Sequence, residues 1–295
     1  MITRRAALAL PFALQAARAR AEPGARSIVA SFSILQDMVN QIAGDTVQTA
    51  TLVPRNGDPH AFEPRPGDLA VLRSAAAMVE NGLGLEGWLS RMVQASGFGG
   101  VRIVASTGIA PRSLQEEGAT VQDPHIWQDP ALGRQMVQTI AAGLSKAAPP
   151  RATAYAAAAA RYAEELRRVE AEIARAVGAV PETRRKVLTT HDAFAYYGAR
   201  FGIRFIAIEG ISTEAEPSPR ALARIAQQAK KDGLHTVFLE NMTDPRLAEA
   251  LAREAHLAVG PKLYSDSLSE RDGPAATYLD LLRYNTAQLV ASMRA

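Results

Sequence analysis

The sequence predicts an α/β fold in which two doubly wound α/β lobes are joined by one long backbone helix. Three observations predict it. Short β-rich runs alternate with helical periodicity in both halves of the chain, the pattern of a parallel sheet covered by helices. Between the halves, no Gly or Pro interrupts Arg151 to Val177. The chain has 295 residues, 47% of them apolar and 21% charged, which suits one large or two medium core-forming domains.

In order along the chain, "SIVASF" is a short β-rich run, and Ile34, Met38, Val39 and Ile42 then recur at helical spacing until Gly44 stops them. "VQTATLVP" is a second strand, which leads into "NGDPHAFEPRPGDL". That stretch holds two Gly, three Pro and His60 in fourteen residues, too punctuated for a helix or a central strand. A helix starts near Gly67 and Asp68, and "AMVEN" and "VRIVAS" are further strands. In the uninterrupted segment, Tyr155, Tyr162, Leu166, Val169, Ile173 and Val177 share one face. They predict a single helix of roughly 40 Å at about 1.5 Å per residue, a spine between lobes. The rhythm then resumes. "KVLTTH" is a strand ending at His191 and opening a helix "DAFAYYGARFG". "IRFIAI" is a strand, "SPRALARIAQQAKKDG" a helix capped by Ser218, "TVFLEN" and "LAVG" are strands, and "PAATYLDLLRYNTAQLVASM" is a closing helix. The predicted divisions are 1–21, a signal peptide; 22–148, an N-terminal lobe; 149–180, the linking helix; and 181–295, a C-terminal lobe.

The signal peptide rests on Arg4 and Arg5, an apolar run from Ala6 to Leu14, and Ala-x-Ala sites with cleavage after Ala19 or Ala21. Removing residues 1–21 removes four arginines and takes the formal charge from +3 to −1, so no basic character remains to argue for nucleic acid. No run of eighteen apolar residues predicts a spanning helix. Cysteine is absent, which excludes disulfides, thiolate chemistry and a lipoprotein-type anchor, and leaves His, Asp and Glu as the only side chains for a metal. A free periplasmic protein is expected.

Five histidines exist: His60, His125, His191, His235 and His256. Three fall at element ends. His60 lies a short loop beyond its strand, His125 sits between Pro124 and Pro130 in "DPHIWQDP", and His191 ends "KVLTT". Ligands in open α/β sheets bind beyond the carboxyl ends of strands, and neutral imidazole is the commonest side-chain metal ligand. Flanking prolines stiffen the approach to His60 and His125. His235 and His256 lack such context and read as packing or surface residues. A closed site needs a fourth donor, for which Asp266, Glu209, Glu240 and Glu63 are all open on chemistry alone. Asp266 has one local advantage, a Ser-rich loop whose hydroxyls could orient its carboxylate.

Four stretches, "NGDPHAFEPRPGDL", "DPHIWQDP", "THDAFAYYGARFGI" and "LYSDSL…GPAATYLDLLRYN", together resemble the zinc- and manganese-binding solute-binding proteins of ABC importers, as does "ENGLGLEGW". The resemblance covers nearly all of the chain beyond residue 21. It implies two α/β lobes, a connecting helix and a metal in the interlobe cleft. It also implies that His60, His125, His191 and Asp266 hold that metal, the first two from one lobe and the last two from the other. A membrane permease with its ATPase would receive the ion from a freely diffusing monomer, and the rigid spine would restrict opening to a small rocking or loop motion. Manganese-selective members tend to carry glutamate at the third position, where this chain has His191. Three nitrogens and one carboxylate suit zinc, so Zn2+ is preferred and Mn2+ is the alternative. Many zinc members carry a His-rich loop before the second histidine; "APRSLQEEGATVQD" has none, which leaves a mixed zinc/manganese carrier open. Binding should weaken as pH falls towards the imidazole pKa of about 6.5.

The rival reading is a secreted zinc-dependent hydrolase, in which three histidines leave an open position for water and Asp266 or Glu63 acts as base. Neither an HExxH helix nor a Gly-x-Ser-x-Gly elbow is present. A carrier of a chelated metal or organic solute would want an aromatic-lined pocket, and aromatics are only 6% of the chain.

Overall fold

Strand β1 (Ile28–Phe32) is buried at all five positions, as expected of a central parallel strand covered on both faces. A computed structural model describes residues 27–45, 47–116, 119–213 and 218–295. The predicted signal peptide, residues 1–21, lies outside them. Around β1 the chain builds a four-stranded parallel sheet in the order β2-β1-β3-β4, with β2 Thr49–Val53, β3 Ala77–Glu80 and β4 Val101–Val104. Ile28 is in register with Thr49 on one side and Ala77 on the other. Helix α1 (Ser33–Ala43) follows β1 directly and ends at Gly44, whose φ of 67° is the left-handed region that glycine enters without a Cβ penalty. Helix α2 (Pro66–Ser74) begins one residue before Gly67, and Asp68 is its third residue, accepting a 2.7 Å hydrogen bond from the Arg65 N–H. Helix α3 is Leu89–Ser96.

The second sheet repeats this topology. It contains β7 (Lys186–Thr189), β8 (Arg204–Ala207), β9 (Thr236–Val237) and β10 (Ala258–Val259), all parallel, in the order β10-β9-β7-β8. Its first strand therefore lies between its second and third, as β1 does. Helices α6 (Ala195–Phe201), α7 (Pro219–Lys231) and α8 (Pro245–Ala255) connect them. Ser218 caps α7, accepting from the Ala221 N–H. Helix α8 ends at His256, an exposed residue in the left-handed conformation (φ 58°).

The spine is a single helix, α5 (Ala152–Gly178), and the six predicted face residues are all buried. Two further helices pack along it: α4 (Pro130–Ala147) and the C-terminal α9 (Tyr278–Arg294). Sequence periodicity did not single out α4, although Asp129 at its N-cap followed by Pro130 is a start signal. Helix α9 is shorter than expected because Thr277 caps it, so "PAAT" stays outside. Asp37 of α1 gathers the bundle: its carboxylate accepts from the Tyr278 N–H at 3.0 Å and the Tyr162 hydroxyl at 3.2 Å. A two-stranded antiparallel hairpin, β5 (Ser113–Glu116) and β6 (Ala119–Gln122), precedes His125. Among the described residues, no helix is long and apolar enough to cross a membrane.

Candidate metal centre

The sequence motif Asp-Pro-His occurs twice, and it folds the same way both times. Asp58 Oδ1 accepts from the His60 N–H at 2.8 Å, and Asp123 Oδ1 from the His125 N–H at 3.0 Å. An aspartate that bonds the backbone two residues on makes an Asx-turn, and the proline between stiffens it. Each turn thus presents the imidazole at a set angle. The spacing was visible in the sequence, but its aspartates were not recognised there as the turn-forming groups.

The Asp58 turn lies beyond the carboxyl end of the parallel strand β2, the Asp123 turn follows the antiparallel β6, and His191 lies two residues beyond the parallel strand β7. His191 does not open a helix; α6 begins only at Ala195, and the intervening chain turns the imidazole inward. Its N–H, free of any helix, donates to Glu240 Oε1 at 2.9 Å. Asp266 follows β10 on a loop whose backbone is pinned: the Ser265 carbonyl accepts from Trp127 Nε1 at 2.8 Å and Gln128 Nε2 at 2.7 Å. The serine hydroxyls were expected to orient the Asp266 carboxylate. Instead the Ser267 hydroxyl contacts Ser33 Oγ and the Pro54 carbonyl. Asp266 Oδ1 accepts no hydrogen bond among the described residues, and Oδ2 faces the three imidazoles.

The structure brings His60, His125, His191 and Asp266 together. His125 Nε2 is 3.3 Å from His60 Nε2 and 3.4 Å from His191 Nε2. Asp266 Oδ2 is 3.2 Å from His60 Nε2, 3.2 Å from His191 Nε2 and 3.6 Å from His125 Nε2. Glu63 is exposed and Glu209 is half-buried. Glu240, the remaining candidate for fourth donor, is buried on the far side of His191, with Oε2 2.5 Å from Nδ1 and Oε1 accepting from the Thr190 hydroxyl at 2.7 Å. Asp123 Oδ1 does the same for His125, 2.8 Å from its Nδ1. A carboxylate on Nδ1 holds the proton there and turns the Nε2 lone pair to the centre. His235 and His256 are exposed and away from the cluster.

Charge in this buried cluster is self-consistent. Burial lowers the His125 pKa, but the Asp266 and Asp123 carboxylates outweigh it and leave the group at about 9. His191 is likewise pulled down by burial and lifted well above 6.5 by Glu240 and Asp266. Burial raises Asp266, yet the charges of His125 and His191 hold it well below the usual carboxylate range. Negative charge therefore exceeds what the site can bury without cations, and protons on imidazole supply them in the metal-free protein.

The "ENGLGLEGW" stretch braces His60. Trp88 Nε1 donates to the Pro59 carbonyl at 2.8 Å, and its ring meets Phe62 edge-on at 4.8 Å. Buried Glu86 closes the turn, accepting from the Ser31 hydroxyl at 2.6 Å and the Asn81 N–H at 2.7 Å.

Comparison with known proteins agrees with this architecture. The manganese-binding lipoprotein MntA of Halalkalibacterium halodurans is 29% identical over 266 residues, covering 90% of this chain and 88% of that protein. The solved periplasmic zinc binding protein TroA from Treponema pallidum superimposes with a TM-score of 0.87 at 25% identity, covering 92% of this chain and 99% of that one. The Mn-bound periplasmic metal binding protein from Candidatus Liberibacter asiaticus gives a TM-score of 0.80 at 27% identity, covering 91% of this chain and 99% of that one. The family model for the periplasmic zinc-uptake complex component A (ZnuA) matches residues 28–292, and the chain belongs to that family.

Proposed function

We propose that this protein is the extracytoplasmic solute-binding component of an ABC importer. It captures a divalent transition metal, zinc in preference to manganese, with His60, His125, His191 and Asp266. It then delivers the ion to a permease and its ATPase. It is secreted to the periplasm by residues 1–21 and works as a monomer, with lobes at 22–148 and 181–295 on either side of the 149–180 helix. One observation carries the reading. The four donor atoms all lie within 4.8 Å of one another, and the five separations that involve His125 Nε2 or Asp266 Oδ2 run from 3.2 to 3.6 Å. A regular tetrahedron with edges of about 3.2–3.6 Å has its centre about 2.0–2.2 Å from each corner, the zinc–nitrogen and zinc–oxygen bond length, so a small adjustment of the four side chains reaches that geometry. Three imidazoles and one carboxylate suit zinc by donor type as well. The family membership and the metal-binding relatives support the transport role.

Manganese is the second reading. Asp266 Oδ1 has no hydrogen bond among the described residues and could add a fifth, oxygen donor, which a harder ion prefers. The hydrolase reading draws no support, because Asp266 as fourth donor leaves a tetrahedral ion no position for water. Equilibrium dialysis of the mature protein against zinc and manganese, beside a His191→Ala variant, tests the proposal. One zinc per chain, lost in the variant and unaccompanied by hydrolytic activity, is expected. A wild-type protein that binds neither ion, or a variant that binds as well as wild type, overturns it.

A further inference from the structure

The two Asp-Pro-His turns differ in what the second carboxylate oxygen does or leaves undone. Asp123 uses its Oδ1 for both the His125 N–H and the His125 imidazole. Asp58 does not turn back on its histidine in that way. Its Oδ2 accepts from the Thr213 hydroxyl at 2.6 Å, and Thr213 belongs to the segment after β8 of the second sheet. One carboxylate thus joins the backbone of His60 to the opposite half of the molecule.

This contact lies at the only side of the cluster that meets solvent among the four residues. His60 is 9% exposed, while His125, His191 and Asp266 are 0% exposed. An open cavity of about 690 Å³ reaches His60 and is lined in part by Phe62, Glu63, Trp88, Ile211 and Ser212. Thr213 continues that last pair. A second cross-contact, Asn241 Nδ2 to Asn56 Oδ1 at 3.0 Å, ties the same His60 loop to the segment after β9.

We infer that the ion leaves past His60 and that the Thr213–Asp58 hydrogen bond is the latch that sets how fast it does so. The inference rests on the metal-carrier reading. Asp58 and Thr213 are positioning residues: they touch His60 or each other, not the ion. With the latch closed, Asp58 fixes the His60 turn against the second half. With it open, the His60 loop can swing without disturbing the three deeply buried donors. A hydroxyl–carboxylate hydrogen bond that must break before release slows release by about tenfold.

The test is stopped-flow zinc release into excess chelator, with zinc association measured separately, for wild type, Thr213→Val and Thr213→Ser. Valine keeps the shape and removes the hydroxyl; serine keeps the hydroxyl. Release from Thr213→Val is expected to be about tenfold faster, with Thr213→Ser within twofold of wild type and the circular dichroism of both metal-free variants like that of wild type. Release from Thr213→Val within twofold of wild type overturns the latch. So does faster release that serine fails to restore, since that is a structural effect. Wild-type protein that holds no zinc at all overturns the carrier reading and the latch with it, and equilibrium dialysis tells that case from the others.

Discussion

Replacing Glu240 with Gln should weaken zinc binding without touching any donor atom. Glu240 is 1% exposed, accepts from the Thr190 hydroxyl and the His191 N–H through Oε1, and sets Oε2 2.5 Å from His191 Nδ1. Glutamine has the same shape but only one acceptor oxygen. If that oxygen keeps Thr190 and the His191 N–H, its NH2 group faces Nδ1. A proton on Nδ1 then meets another donor, so the imidazole moves its proton to Nε2, where it blocks the lone pair aimed at the ion. If the amide flips, the NH2 group faces the Thr190 hydroxyl and the buried His191 N–H, which loses its acceptor. Either outcome leaves a buried donor unsatisfied, at a cost of about 1–3 kcal/mol. Because about 1.4 kcal/mol is tenfold in affinity, the expected loss is about 10- to 100-fold, the usual range for a carboxylate behind a ligating histidine. Competition titration against a zinc-binding dye measures it, with exposed Glu63→Gln as the control that should bind like wild type. Circular dichroism of the metal-free variant checks that the fold persists. Glu240→Gln within twofold of wild type would refute the claim that Glu240 sets the His191 tautomer.

Two further outcomes are expected. His125 is held at about 9 and His191 well above 6.5, so zinc, which takes neutral imidazole, should release about two protons at pH 7. Calorimetry in buffers of different ionisation enthalpy counts them, and fewer than half a proton contradicts the charge arrangement. Since these folded pKa values exceed the unfolded value of about 6.5, the charged imidazoles stabilise the metal-free fold fully below that pH. Their contribution is lost as pH rises through the folded values, so its urea midpoint should fall between pH 6.5 and about 9 while zinc affinity climbs. Gly198→Ala should destabilise the protein by about 1–3 kcal/mol in urea titration, because a Cβ there would lie 2.5 Å from the Ile203 carbonyl oxygen, and backbone cannot move aside cheaply. A midpoint equal to wild type would show that the turn relaxes.

Local signals were legible where one residue type carries one meaning. Gly44 and Gly202 end helices at positive φ, Ser218 caps α7, and the spacing from Tyr155 to Val177 names one buried face. His60, His125 and His191 stood out because imidazoles at stiff strand ends are uncommon without a task. The fourth donor did not stand out on chemistry alone. Asp266 and Glu240 are both buried acids beyond strands of the second sheet, and the choice between them depends on which face of His191 each meets. Helix α4 and the hairpin before His125 were not legible, the hairpin because two four-residue strands are too short to show a period.

The sequence by itself determined the two strand–helix halves, the unbroken spine between them and the residue types available to a cysteine-free metal site. These depend on periodicity, turn chemistry and composition, which act over a few residues. Only the tertiary structure decided that four side chains spread over more than two hundred residues bring their donor atoms within 4.8 Å of one another, that Glu240 stands behind His191 rather than among those donors, and that Asp58 reaches Thr213 across the cleft. Those separations are set by how two sheets are held against helices α4, α5 and α9, and no local rule of chain geometry contains that distance.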